Sequence, residues 1–160
     1  MKTLVIYSSK HGSSEEFAKI ISEKINNCEI TSVENVSEKN LCDYNHLVIG
    51  SSIYAGKFSK KFNNFIQENL KILLDKKLGV FVIGGIESQY LKTASSQLPE
   101  SIINHACAVV YGGYKYDFNR MNFFEKFIVK IVSKTGKSID ALKPKNADAL
   151  IASLNGEKNA

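Results

Sequence analysis

The sequence lacks the features of a membrane-spanning, disulfide-linked or multidomain protein. No apolar run approaches the ~18 residues of a spanning helix, and Met1-Lys2 leads directly into a strand pattern, so we expect no signal peptide. Its three cysteines are far apart and lack zinc-ligand spacing, which indicates reduced cytosolic thiols and no metal site. Because no repeat, low-complexity tract or linker divides the 160 residues, we expect one domain over 1–160.

Several common phosphate-binding signatures are also missing. There is no GxxxxGK[ST] loop, and the turn after the first predicted strand has one glycine rather than GxGxxG. Gly50-Ser51 stands where a receiver domain needs an acidic residue after its third strand, and the first loop has no cysteine for a phosphatase. These absences exclude Walker-type nucleotide loops, dinucleotide-binding sites, receiver domains and cysteine-based phosphatases.

A hydroxyl-rich turn, residues 8–14, separates the first two predicted elements. Leu4–Tyr7 is apolar and β-prone, and apolar residues then recur with helical spacing from Phe17 to Ile25. The turn therefore leads from a buried strand into a helix. Because a helix N-terminus leaves backbone N–H groups unpaired and carries about half a positive charge, this turn suits a phosphate group.

The side chains of the turn favour the same interpretation. Gly12 lets the backbone approach a ligand closely, Lys10 adds a cation, and the hydroxyl donors are Ser9, Ser13 and Ser14. Ser13 with Glu16 also matches a capping box, so an ordinary helix cap is the alternative interpretation. His11 is either a further charged group or donor, or a plain exposed loop residue.

Continuous apolar segments alternate with helical ones along the rest of the chain. Further strands are predicted at residues 29–33, 46–50, 78–83 and 106–111, and further helices near 58–70, 90–98 and 146–154. Strands that are apolar on both faces indicate a parallel sheet covered on both sides. We therefore predict a three-layer α/β domain with a doubly wound, parallel, five-stranded sheet.

Three loops rich in small or hydroxyl residues fall at the carboxyl edge of this predicted sheet: 8–14, 51–56 and 84–87. Because ligands of doubly wound sheets bind at that edge, we expect these loops to form one site. His46 and His105 precede strands and are expected at the opposite edge. With the signatures above excluded, a phosphate held by hydroxyls and two loops that grip a flat ring fit FMN.

These residues resemble the flavodoxin-like superfamily. The resemblance of residues 7–14 to the flavodoxin phosphate loop implies that the FMN phosphate is wrapped by Ser9, Lys10, His11, Gly12, Ser13 and Ser14. The other two loops are similar to those that flank the isoalloxazine, which implies ring contacts from Ser51, Ser52, Ile53, Tyr54, Ala55, Gly56, Gly84 and Gly85. Tyr54 is the candidate for stacking on the ring; alternatively, it packs on the third helix.

A basic, aromatic segment follows the fifth predicted strand. The chain has a net charge of +5, and residues 111–137 hold two anions, Asp117 and Glu125, against six cations: Lys115, Arg120, Lys126, Lys130, Lys134 and Lys137. One basic segment on a near-neutral body favours a local anionic partner, such as an acidic ligand or a membrane surface, over nucleic acid.

A helical projection of residues 121–137 separates apolar from basic side chains. The apolar side holds Met121, Phe124, Phe127, Ile128 and Ile131, with Val132 at its margin, and the basic side holds Lys126, Lys130, Lys134 and Lys137. Either the helix packs on the domain with a solvated lysine face, or it lies in the plane of an anionic membrane surface. The second interpretation predicts a cytoplasmic protein that is peripheral on the inner face of the cell membrane.

The same segment is similar to the insertion after the fifth strand in the quinone-linked, HemG-type protoporphyrinogen IX dehydrogenases. Residues 50–58 also resemble a loop of that subfamily, whereas residues 84–90 and 140–146 depart from its pattern. The resemblance implies an insertion at about 112–140. It also implies an FMN-dependent oxidoreductase of heme biosynthesis that passes electrons from a tetrapyrrole to a quinone.

A loop is predicted at 114–120, on the edge where the flavin is expected. Its Lys115, Tyr116 and Arg120 suit a flat aromatic substrate that bears carboxylates. No proton-transferring residue is nominated, because this edge offers only Glu87 and Tyr54. The alternatives are a flavodoxin-type electron carrier, against which the basic charge counts, and a non-redox module that has lost FMN. The oligomeric state stays open.

Overall fold

A computed structural model of the chain describes residues 1–133 and 137–157, apart from the side chains of Glu38, Ile128, Val132 and Ser133. The strands are β1 (Thr3–Ser8), β2 (Cys28–Ser32), β3 (His46–Ser52), β4 (Lys77–Ile83), β5 (Ala108–Tyr116) and β6 (Ile139–Leu142). In this described part they form one sheet in the order β2-β1-β3-β4-β5-β6. The strands from β1 to β5 are mutually parallel, whereas β6 runs antiparallel to β5.

Helices cover both faces of the sheet. They are α1 (Ser13–Glu23), α2 (Lys60–Asp75), α3 (Tyr90–Gln97), α4 (Glu100–His105), α5 (Phe123–Ser133) and α6 (Pro144–Asn155). One face packs against α1 and α6, and the other packs against α2, α3 and α4. The molecule is therefore a doubly wound α/β structure of three layers, and the predicted fold class is confirmed.

Successive residues of the central strands enter two different cores. In β1, Leu4 and Ile6 belong to the core under α2, whereas Val5 belongs to the core under α1 and α6. All three side chains are fully buried, which explains why the strand is a continuous apolar run rather than an alternating one.

The core under α1 contains a close contact between the helix and the sheet. The rings of Phe17 and Phe81 lie 5.3 Å apart, and both side chains are fully buried. A Cβ atom on Gly50 would lie 2.3 Å from the ring of Phe81. Gly50 is therefore needed for space, because any side chain there would displace the aromatic ring.

The prediction of five strands was wrong, because β5 does not end at Gly112-Gly113. Gly113 has φ +88, and at this residue the register between β4 and β5 shifts. A Cβ atom on Gly113 would lie 2.2 Å from the carbonyl oxygen of Ala141. The glycine thus lets β6 approach closely, and β5 continues to Tyr116 through residues that were predicted to be a loop.

One short helix was also missed. The predicted helix at 90–98 ends at Gln97, and α4 begins directly after Pro99, whose fixed φ suits the residue that precedes a helix. Both elements lie on the α2 side of the sheet.

Together, β5 and β6 form an antiparallel hairpin in which Tyr116 pairs with Ile139. Residues 117–138, which we call the hairpin loop, connect the two strands and contain α5. This segment falls within the insertion predicted at about 112–140. The predicted apolar–basic helix over 121–137 is shorter than expected, since α5 begins at Phe123, and Lys134 lies outside the described residues.

Candidate functional site

A cavity of about 310 Å³ opens at the carboxyl edge of the sheet. All three predicted loops contribute to it, and β5 with the hairpin loop closes one side. The sequence-predicted residues that line it are Lys10, His11, Ser13, Ser52, Ile53, Tyr54, Ala55, Gly56, Gly84, Gly85, Lys115 and Tyr116. Two more open depressions lie beside α2, and their described lining residues come from outside these loops.

The phosphate loop, residues 8–14, enters α1 through a left-handed glycine. Gly12 has φ +93, and its N–H donates to Ser9 Oγ over 3.0 Å. Because α1 begins at the next residue, the N–H groups of its first turn lie at this loop without intrahelical acceptors. The turn thus has the backbone arrangement that suits an anion.

The two serines that begin α1 tie the phosphate loop to neighbouring strands. Ser13 Oγ donates to the carbonyl oxygen of Lys115 on β5 over 2.7 Å, and Ser14 Oγ lies 2.6 Å from Ser52 Oγ on β3. The capping-box interpretation of Ser13 with Glu16 was wrong, since the Ser13 hydroxyl bonds to β5 and the Glu16 carboxylate pairs with Lys115 Nζ over 2.8 Å.

A buried carboxylate from the hairpin loop contacts the phosphate loop. The Glu125 side chain is only 5% exposed; one oxygen pairs with Lys10 Nζ and the other lies 3.5 Å from His11 Nε2. The hydrogen bond with Lys10 lowers the pKa of Glu125, and the same bond raises the pKa of Lys10. The charge of Lys10 is therefore largely matched within the protein.

Glu125 also starts α5. Its Oε2 accepts from the backbone N–H of Asn122 over 3.1 Å, and its own N–H donates to Asn122 Oδ1 over 2.8 Å, which is a reciprocal capping box. The sequence analysis identified Glu125 neither as a helix cap nor as a residue of the site. The Asn-x-x-Glu spacing was the signal that could have located the start of the helix.

His11 supplies an unused polar atom at the cavity. Its side chain is largely buried, and its Nε2 has no hydrogen-bond partner among the residues that the structure describes. Buried polar groups are normally paired, and Glu125 Oε2 at 3.5 Å is too far for a good hydrogen bond, so this nitrogen keeps bonding capacity that a ligand in the cavity could use. It is the observation on which the fit of a phosphate-bearing cofactor rests, together with the serine hydroxyls and the glycine turn.

Tyr54 contacts the phosphate loop. Lys10 Nζ lies 4.3 Å from the centre of its ring, and the ring of His11 lies 6.2 Å away. The ring is thus exposed to the cavity at the position where the sequence analysis expects a stacking contact.

A tight turn holds Tyr54 in place. Its N–H and carbonyl both bond to Lys57, and the intervening Ala55 and Gly56 have φ values of +49 and +74, as in a type I′ turn. Gln97 of α3 donates to the carbonyl of Gly56 over 2.8 Å. Gln97 was not anticipated, because its contact with this turn joins distant parts of the chain.

The third loop packs against the tyrosines of β5. Tyr111 donates to the carbonyl of Gly84, and burial raises the pKa of Tyr111 to about 12. A Cβ atom on Gly85 would lie 2.5 Å from the hydroxyl oxygen of Tyr116, whose ring lies 5.2 Å from that of Tyr114. These contacts give the cavity one aromatic wall.

The remaining predicted residues lie beside the cavity or are already paired. Ser51 is buried in β3, while Arg120 lies next to Gly12 at the phosphate loop. Lys115 lines the cavity, but its ammonium pairs with Glu16 and, at 3.3 Å, with Asp140. Glu87, considered as a proton-transfer group, is exposed and does not line the cavity.

The helix α5 exposes most of its apolar side chains. It contacts the domain through Glu125 and Val129, and Met121 just before it is also buried. The exposed fractions are 88% for Phe123, 69% for Phe124, 56% for Phe127 and 62% for Ile131. Of the predicted apolar side, Met121 is therefore buried, whereas Phe124, Phe127 and Ile131 are exposed; Ile128 and Val132 of that side lie outside the described side chains.

Two classes of site can be checked directly. Among the helices that the structure describes, none combines the length and apolar character needed to cross a bilayer. Within 1–133 and 137–157, no cluster of three or more His, Cys, Asp or Glu side chains is arranged to hold a metal ion.

The order β2-β1-β3-β4-β5, with a site at the switch point between β1 and β3, is the flavodoxin arrangement. The model of the flavodoxin domain family matches residues 4–141, and the chain belongs to this family. The family implies FMN as the cofactor, as the sequence predicts.

The chain is similar to protoporphyrinogen IX dehydrogenase [quinone] of Escherichia coli (strain K12), at 22% identity over 156 residues that cover 89% of this chain and 85% of that protein. The part left uncovered is shorter than the predicted insertion, so the match reaches into it.

Solved structures show the same fold. Oxidised flavodoxin 2 from Bacillus cereus matches with a TM-score of 0.58 and 19% identity over 84% of this chain and all of that chain. Fusobacterium nucleatum flavodoxin bound to flavin mononucleotide matches with a TM-score of 0.50 and 14% identity over 99% of this chain and all of that chain.

Proposed function

We propose that the chain is an FMN-dependent oxidoreductase that takes electrons from a tetrapyrrole of the protoporphyrinogen class and passes them to a quinone, in heme biosynthesis. The observation that carries this proposal is the composition of the cavity. Its loops suit FMN, and the wall beyond them comes from β5 and the hairpin loop, the segment into which the match to the E. coli enzyme extends.

The phosphate of FMN would bind at the start of α1. The backbone N–H groups of Ser13, Ser14 and Glu15 would hold it, and the hydroxyl of Ser9 on the same loop would donate to it. Ser13 Oγ already donates to the carbonyl oxygen of Lys115 and would instead hold the loop against β5. The ring would lie between residues 51–56 and 84–85, with Tyr54 stacked on it. When bound, FMN supplies the redox chemistry, while the protein positions and shields it.

The aromatic wall suits a substrate with unsaturated rings, such as a pyrrole or a quinone. Tyr114 and Tyr116 present apolar ring surface to the cavity. Both residues follow Gly113 in the last part of β5. The ammonium group of Lys115 pairs with Glu16 of α1 and with Asp140 of β6. We infer that it holds this wall against α1.

The test uses the purified protein reconstituted with FMN and mixed anaerobically with protoporphyrinogen IX. We expect the flavin absorbance to bleach faster than that of free FMN under the same conditions, and to return when a soluble quinone is added. A protein that stays colourless after FMN addition overturns the cofactor assignment. A yellow protein that the tetrapyrrole does not bleach overturns the substrate assignment.

The second candidate is a flavodoxin-type electron carrier, favoured by the match to flavodoxin 2 over the whole of that chain. Carriers present an acidic face to basic partners, whereas this chain has a net charge of +5. If the protein is reduced chemically and then transfers electrons to cytochrome c but not to a quinone, the carrier is correct.

We also propose that α5 contacts an anionic membrane surface, where quinones are dissolved. Its exposed Phe124, Phe127 and Ile131 form an apolar side, and Lys126 and Lys130 flank it. An in-plane helix needs this combination, because apolar side chains enter the acyl boundary while lysines attract anionic headgroups.

A further inference from the structure

Arg120 reaches from the hairpin loop to the phosphate loop. It ends a 3₁₀ turn, Phe118–Arg120, that follows β5. A Cβ atom on Gly12 would lie 2.6 Å from Arg120 Nη1 and 3.8 Å from its Cζ. The guanidinium group therefore occupies the space that the Cβ atom of any other residue would need, at the residue just before α1.

Among the residues that the structure describes, the donors of this guanidinium are little used. Its ion pair there is with Asp117, whose Oδ2 lies 3.7 Å from Arg120 Nε, beyond hydrogen-bond distance. The side chain is 66% exposed. Since a guanidinium carries five N–H donors in a planar fork, those of Arg120 can bind an oxyanion at the phosphate loop.

The phosphate loop has a cation of its own, Lys10, whose charge is already paired. Lys10 pairs with the buried carboxylate of Glu125 and lies over the ring of Tyr54. Moving it to a phosphate would leave Glu125 buried beside His11 without its main cationic partner, which is costly. Positive charge for a dianion at this loop is therefore better supplied by Arg120 than by Lys10.

We propose that Arg120 binds the phosphate group of FMN, donating N–H hydrogen bonds to the phosphate oxygens from across Gly12. This inference rests on the proposed function, because it requires that the chain binds FMN. It assigns to the hairpin loop a role in holding the cofactor, whereas the sequence analysis gave Arg120 to the substrate. Because the guanidinium and the phosphate both carry charge, these bonds add an ionic attraction that serine hydroxyls do not provide.

The test compares FMN with riboflavin, which has the same ring and no phosphate. Dissociation constants of both are measured by flavin fluorescence for the wild type and for Arg120→Gln. We expect the substitution to weaken FMN binding by roughly tenfold or more and to leave riboflavin binding unchanged. Arg120→Lys should recover part of the loss, since it keeps the charge but not the planar fork.

The matched control is Lys145→Gln, which removes the same charge from an exposed position on α6 and should change neither affinity. Equal weakening of FMN and riboflavin, or no weakening of either, overturns the role of Arg120. Failure of the wild-type protein to bind either flavin instead overturns the proposed function, and it is seen before any variant is compared.

Discussion

The sheet with its packed helices and the hairpin loop are held by different forces. In the sheet, Phe17, Phe81 and Leu47 are fully buried and pack against apolar neighbours. The hairpin loop meets the rest of the protein through the ion pair of Glu125 with Lys10 and, among its described side chains, through only two buried apolar ones, Met121 and Val129; it leaves Phe123 almost fully exposed.

Because of this difference, the sheet and the hairpin loop should contribute differently to the stability of the protein and to the properties of the cavity. Apolar burial is worth roughly 25 cal/mol per Å² and depends little on salt, so the sheet and its helices fold as a firm base. The ion pair of Glu125 with Lys10 is lost when the carboxylate is protonated, so the contact of the hairpin loop with the phosphate loop should depend on pH. We therefore expect substitutions in the two regions to be felt in different measurements.

The largest difference in stability between the two regions is expected when one phenylalanine of each region is replaced by alanine. Phe81→Ala opens a cavity against Phe17 and Gly50 and should lower the free energy of unfolding by about 3–5 kcal/mol. Phe127→Ala, in the exposed row of α5, should change it by less than about 0.5 kcal/mol. Urea unfolding measures both values, and similar losses for the two variants would refute the comparison.

A smaller effect is expected at Glu125. Glu125→Gln removes the charge that pairs with Lys10, so the free energy of local opening of α5, measured by amide hydrogen exchange, should fall by about 1–2 kcal/mol at neutral pH. Protection in β3 should stay the same. An equal loss in β3 would mean that the ion pair stabilises the whole fold rather than the hairpin loop.

The contribution of Glu125 to stability should depend on pH in a definite direction. Pairing lowers the pKa of Glu125 in the folded protein, so its contribution is fully present above the unfolded value of about 4.3 and is lost as the pH falls through the lowered pKa. The wild type and Glu125→Gln should converge only at such low pH. Glu68→Gln, which removes an exposed carboxylate from α2, should match the wild type throughout.

The smallest effect should appear at a membrane surface. Each lysine near anionic headgroups is worth about 1 kcal/mol, so Lys130→Gln should weaken binding to vesicles that contain phosphatidylserine by roughly fivefold. Raising the salt concentration should reduce the difference, and Lys145→Gln should bind as the wild type does. Equal binding of wild type and Lys130→Gln to these vesicles would rule out the proposed membrane contact.

The sequence predicts the phosphate loop well because its signal is local. A buried strand, a hydroxyl-rich turn with Gly12 and a helical period follow one another within residues 4–25. Parallel topology then places the loops after β3 and β4 at the same edge, so three of the cavity's walls follow from strand order.

The fourth wall was predicted only in part: Lys115 and Tyr116 were expected at this edge, but the contacts that hold the wall could not be predicted in this way. The contacts of Arg120 with Gly12 and of Glu125 with Lys10 join residues more than a hundred positions apart, and no spacing rule encodes them. The end of β5 was misjudged for another reason. A glycine pair usually marks a turn, but here Gly113 admits a neighbouring backbone at a close approach.

The pairing of Tyr116 with Ile139 has a consequence for how this protein can change. The two ends of the hairpin loop lie one strand spacing apart, about 5 Å, so a short Asn-Gly turn could join them without moving the sheet. The hairpin loop can therefore be exchanged as one unit. Replacing it with the corresponding segment of a relative would, under the proposed function, change the contacts to the substrate and to the FMN phosphate together. The folding of the underlying sheet should stay the same.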